Sequence, residues 1–128
     1  MITCPDLARM AEQMGVTLRR HDGGKKGWYS DRYRIISTRR GLTIAEYRST
    51  LAHELGHAHH RDVPTFGKYN QRQEDRANEF AATLLLSEAD VRAALCWHNH
   101  HRSPAAHDLE VTEKILGVWL KLYERQTV

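Results

Sequence analysis

His53-Glu54-Leu55-Gly56-His57 decides the reading of this chain. It fits the pattern H-E-x-x-H. On a helix, residues four apart lie on one face, a turn from each other. His53 and His57 can therefore hold one zinc ion through imidazole nitrogens at roughly 2.0–2.1 Å. Glu54 follows the first histidine and reaches the open side of such a metal. There it can take a proton from water and make the nucleophile for peptide hydrolysis. The chain has 9 histidines in 128 residues, so the motif needs support from its surroundings.

The residues around it supply that support. Thr43 predicts a helix cap, with Glu46 three residues on as its capping-box partner. Tyr47, Leu51, Leu55 and Ala58 form an apolar stripe on the helix that follows. His53, Glu54 and His57 fall off this stripe, as a metal-binding face requires. Gly56 permits close approach of a neighbouring element, although glycine costs about 1 kcal/mol of helix propensity relative to alanine. Residues 62–71, with Pro64 and Gly67, read as a loop. A helix is expected over about 72–86, burying Ala77, Ala81, Leu84 and Leu85, and Ser87 caps another through Val91, Ala94 and Leu95. Trp97 to Ser103 reads as a polar, histidine-rich loop bounded by Pro104. Leu109 to Tyr123 reads as a last helical segment.

Upstream, residues 5–14 predict a helix with Pro5 in its first turn and Gly15 after its end. Val16 to Arg20 alternates like a strand, Asp22-Gly23-Gly24 signals a turn, and 27–29 and 33–38 read as two further strands. The fold class is therefore α+β: a small three-stranded antiparallel sheet packed on a zincin-like helical core, with a short helical tail. One domain over 1–128 is expected, divided into an N-terminal helix and sheet (1–42), metal-site helices (43–95) and the tail (96–128).

A catalytic zinc keeps three protein ligands and one open position. The metzincin pattern would place a third histidine at position 63, which is Val63. A glutamate from a later helix is the other common solution, giving a gluzincin-like pair of helices. Glu74-Asp75-Arg76-Ala77-Asn78-Glu79 offers it. Glu74 lies one turn before Asn78, so the two share a face; Asn78 can accept from the spare ring N–H of a ligand histidine. Glu79 is the rival, turned by about 100° from Asn78 on the helical wheel.

Composition sets the class. Hydrophobic residues make up 41% and charged residues 27%, as in ordinary globular proteins. The N-terminus shows no apolar signal-peptide segment and no run is long enough to span a bilayer, so a cytoplasmic location is expected. Cys4 and Cys96 have no C-x-x-C spacing and are expected to be reduced thiols. Residues 1–50 carry 10 Lys and Arg against 5 Asp and Glu. This excess reads first as a solvated hairpin surface, and otherwise as a docking face for an acidic partner.

Thr50-Leu51-Ala52-His53-Glu54-Leu55-Gly56-His57, followed by Glu74 to Leu86, resembles the ImmA/IrrE family of zinc metallopeptidases. The two blocks cover the central third of the chain. The resemblance implies that His53, His57 and Glu74 are zinc ligands, one zinc per chain, and that Glu54 is the general base. It also implies a small intracellular protease that acts on a helix-turn-helix repressor or immunity protein of a phage or mobile element. Two positions depart from the family pattern: Arg76 stands where a second glutamate is usual, and Ser87 where proline is usual. The alternative from another class is a catalytically quiet zinc-holding module that binds a transcriptional regulator. Intact Glu54 argues against it. Direct nucleic-acid binding is not expected, because Leu109-Glu110-Val111-Thr112 and the helix after it carry few basic residues.

Tyr33, Tyr69, His60 and His107 are candidate oxyanion stabilisers. Cys96, His98, His100 and His101 match no zinc template and read as a solvated loop. Trp28, Trp97 and Trp119 read as core or subdomain contacts.

Overall fold

The structure, a computed structural model, describes residues 1–127. Six helices and three strands follow one another as α1 (Cys4–Gln13), β1 (Thr17–His21), β2 (Gly27–Ser30), β3 (Ile35–Arg39), α2 (Ile44–His59), α3 (Gly67–Leu85), α4 (Glu88–Trp97), α5 (Arg102–Asp108) and α6 (Glu113–Thr127). This is an α+β fold.

The sheet is mixed, which corrects the antiparallel expectation. Its order is β1-β3-β2, with β1 parallel to β3 and β2 antiparallel to β3. The turn over 22–26, with Gly23 and Gly24 both at positive φ, carries the chain past the position of β3 instead of folding it straight back. β3 then fills the gap as the central strand. Strand alternation looks the same for either direction of pairing, so the pattern alone could not distinguish them. Ile36 on β3 is fully buried, with Leu18 and Tyr29 in register beside it.

Two capping boxes fix helix starts. Thr43 accepts from the Glu46 amide at 3.2 Å and Glu46 accepts from the Thr43 amide at 3.1 Å, as the sequence predicts. Thr3 and Asp6 form the same device on α1. Ser87 caps α4 by accepting from the Asp90 amide.

Three boundaries differ from the expectation. α3 begins at Gly67, so the connecting loop spans only 62–66. Gly67, at φ +58, turns the chain into the helix where it had read as a breaker. α5 contains Pro104 within its first turn, where a missing N–H costs no intrahelical bond. The last helix starts at Glu113, after a turn in which Glu110 has φ +55.

The core joins α1, the sheet and α2 to α3 through Leu7, Ile36, Leu51, Leu55 and Ala81. Leu116 of α6 and Val91 of α4 close it from the other side. Arg48 is buried beneath this junction. Its Nε donates to the Glu110 carbonyl at 3.0 Å and its Nη1 to the Ile2 carbonyl, tying α2 to both flanking segments. Among the described residues, no helix is long and apolar enough to cross a membrane.

Candidate metal centre and active site

α2 and α3 pack against each other more extensively than any other pair of elements. Gly56 makes this possible. A Cβ there would sit 3.0 Å from the Ala77 Cα, and 3.1 Å from both the Ala77 carbonyl oxygen and the Phe80 Cβ. The contact lies at Ala77, so Glu74, one turn earlier on α3, is brought over His53 and His57.

Three donor atoms converge. The Glu74 Oε2 lies 2.8 Å from the His53 Nε2 and 3.0 Å from the His57 Nε2, and the two Nε2 atoms are 3.1 Å apart. The outer ring nitrogens are also engaged. The His53 Nδ1 is 2.7 Å from the Asn78 Oδ1, and the His57 Nδ1 is 2.9 Å from the Asp62 Oδ2. Asn78 Oδ1 can only accept. The Asp62 carboxylate also accepts from the Arg76 Nη2 at 2.6 Å, so it too acts as an acceptor. Both Nδ1 atoms therefore carry the proton and both Nε2 atoms present lone pairs. Two imidazole lone pairs and a carboxylate oxygen face one point, an arrangement that a cation satisfies. Burial, above all, holds the His53 imidazole below its usual range, which keeps it neutral, as a ligand must be. These residues fit a metal ion, and among the described residues they form the one such group of His, Cys, Asp and Glu donors.

Glu54 projects from α2 beside this triad into a cleft of about 680 Å³. Burial pushes its carboxyl up to about 7; Glu74 adds to the effect, and His57 and Lys25 oppose it. β2 runs alongside. A Cβ on Gly27 would lie 2.5 Å from the Thr50 Cγ2 and 3.3 Å from the Glu54 Oε2, so only glycine lets the strand come this close. Gly27, Trp28 and Tyr29 all line the cleft. Their side chains alternate between the faces of the sheet, so it is the strand's open edge that borders the cleft.

The remaining sequence candidates separate clearly. Glu79 pairs with Arg125 at 3.6 Å and is not part of the group that could hold a metal. Tyr33, Tyr69, His60 and His107, the candidate oxyanion stabilisers, are not among the residues that line the cleft. His60 instead stacks edge-on with His59 and Phe80. Trp28 is 41% exposed at the cleft and Trp97 is 81% exposed, so neither is a core residue, whereas Trp119 stacks on Tyr123. His98 pairs with Asp108, and both cysteines are free.

Asp62 is the residue that sequence reasoning missed. It had been absorbed into the loop because no regular element contains it. A signal was present: an acidic residue five positions after the second histidine of the motif. Arg76 also has a role that the sequence did not reveal. It reaches the site by holding Asp62, not through the face of α3 that bears Glu74.

Fold and site together define a class: an α+β domain in which an H-E-x-x-H helix and a glutamate from the next helix can hold one metal ion. The family model of IrrE N-terminal-like domains, peptidase family M78, matches residues 11–121. The chain belongs to that family. No curated protein matches it.

Proposed function

We propose that the protein is a zinc-dependent endopeptidase that hydrolyses a peptide bond in a regulatory protein, a helix-turn-helix repressor or immunity protein of a phage or mobile element, in the cytoplasm. The observation that carries the catalytic part is the convergence of the His53 Nε2, His57 Nε2 and Glu74 Oε2 beside a buried, cleft-facing Glu54. The regulatory target rests on the family resemblance.

His53, His57 and Glu74 would hold the zinc. Zinc bound there supplies a Lewis acid that polarises a scissile carbonyl and acidifies water. Asn78 and Asp62 fix the ring orientations of the two histidines through their Nδ1 protons. Glu54 takes a proton from the attacking water and delivers it to the amine nitrogen as the C–N bond breaks. The open edge of β2 offers backbone groups along which an extended peptide can pair, which sets its carbonyl near Glu54.

The test is metal content together with turnover. Wild type should bind one zinc per chain, Glu79→Ala should retain it, and Glu74→Ala should lose it. Glu54→Gln should keep the zinc yet fail to cleave a co-expressed repressor that wild type cuts. Full cleavage by Glu54→Gln would remove the base assignment. Absence of zinc uptake by wild type would remove the peptidase reading.

A further inference from the structure

The cleft is chemically lopsided. At the end near the start of α2, Gly27 sits against Thr50, and the Ser49 Oγ accepts from the Thr112 amide at 3.1 Å. Lys25, just before β2, and Lys114, in the first turn of α6, line the cleft at this end from either side. At the other end, beyond the metal-binding triad, Val63 and Pro64 line it, with Val63 55% exposed.

The two lysines differ from most cations near them. Lys26 is paired with Glu46 at 2.9 Å, Arg40 with Asp22 at 3.2 Å, and Arg76 with Asp62 at 2.6 Å. Arg61 is bound to Asp31 at 2.7 Å. Lys25 and Lys114 are exposed and have no ion-pair partner among the described residues. Of the cleft carboxylates, Glu74 is turned onto the two imidazoles, and Glu54, buried at 7% exposure, feels the Lys25 charge but forms no ion pair with it. Two ammonium groups without ion-pair partners that line one cleft attract anions and disfavour cations.

We propose that the cleft selects an extended peptide segment that is acidic where it passes between Lys25 and Lys114 and apolar where it passes Val63 and Pro64. The inference rests on the cleft being the substrate site of the proposed peptidase and names the class of sequence it accepts. The occupant is an unfolded or edge-strand segment of a protein, because the open β2 edge along the same cleft offers backbone hydrogen bonds that only another backbone in extended form can use.

The experiment uses fluorescent ten-residue peptides with one apolar half and a second half that is acidic, neutral or basic. Binding to the full-length Glu54→Gln protein, which cannot cut them, is followed by anisotropy. The acidic series should bind on the order of tenfold more tightly than the neutral one, with the advantage fading as salt shortens the Debye length to about 3 Å near 1 M. The double variant Lys25→Glu/Lys114→Glu should reverse the order in favour of the basic series. Arg19→Glu/Lys121→Glu makes the same change in net charge away from the cleft and should leave the order intact. Equal binding of acidic and neutral peptides overturns the proposal, as does a preference that survives the Lys25/Lys114 reversal. Tighter competition by a single-stranded oligonucleotide of matched charge overturns it as well. The peptidase reading fails separately, if wild type leaves the bound acidic peptides uncut while the binding order stands.

Discussion

The Asp62 carboxylate bridges the His57 ring, at 2.9 Å from Nδ1, and the Arg76 guanidinium, at 2.6 Å. Its side chain is only 5% exposed. The bridge gives His57 a fixed tautomer and a fixed ring plane, and it anchors the turn after α2 to α3.

Asp62→Ala should therefore weaken zinc binding. Loss of the group that orients a ligand histidine typically costs 10–100-fold in metal affinity. Competition against a chromophoric chelator measures this directly, with circular dichroism to show that the fold persists. Arg76→Ala should cost less, because the Arg76 side chain is 49% exposed and acts one step further out. An Asp62→Ala protein with wild-type zinc affinity would falsify the assigned role.

Gly56→Ala tests the α2–α3 contact. Alanine is the better helix former by about 1 kcal/mol, so an exposed site would gain stability. Here the new methyl would meet the Ala77 backbone at 3.0 Å. Overpacking of this kind costs about 1–3 kcal/mol, and the neighbour is main chain, which cannot rotate away. Urea denaturation should show a net loss. Zinc affinity should fall with it, because α3 carries Glu74 and would be pushed outward. A variant that gains stability would show that the two helices have slack.

Glu46 provides a pH test away from the metal. Its hydrogen bond to Lys26, followed by those to Thr43, holds its carboxyl down at about 2, below its ordinary value of 4.5. A carboxyl depressed by folding stabilises the fold above its unfolded pKa, and the contribution is lost as pH falls toward the folded pKa. Comparison of wild type with Glu46→Gln by chemical denaturation should give a difference of about 1 kcal/mol at pH 7, since the group is partly exposed and the bonds are those of a cap. The difference should hold down to about pH 5 and shrink between 4.5 and 2. A gap that stays constant down to pH 2 would assign the effect to shape rather than charge.

The convergence of His53, His57 and Glu74 was legible because its parts obey short-range rules. His53 and His57 are related by one helical turn, and Glu74 and Asn78 by another. Two such facing pairs need only one contact to meet, and Gly56 marks that contact. The helix caps at Thr43 and Ser87 were legible for the same reason. Long-range pairing was not. Nothing local in Thr17 to His21 reveals that it joins β3 in parallel, because register and direction are set by where the 22–26 turn leads. Asp62 was missed because it acquires its role from His57 and Arg76, contacts that no local pattern shows. The sequence marks Arg76 only as a departure from the family pattern, whereas in the fold it holds Asp62.

The open edge of β2 has a cost that lies outside catalysis. A strand whose hydrogen-bonding groups stand ready for a peptide is equally ready for the same strand of another molecule, the usual start of sheet-to-sheet aggregation. Lys25 and Lys26 stand directly before that edge, and Gly27 keeps it pressed into the cleft beside α2. Lys25, which has no ion-pair partner among the described residues, puts at that edge a positive charge that a second copy would also carry. On the proposed reading, the residue that selects acidic peptides also charges this edge, so a variant engineered to accept basic peptides at Lys25 should be watched for self-association.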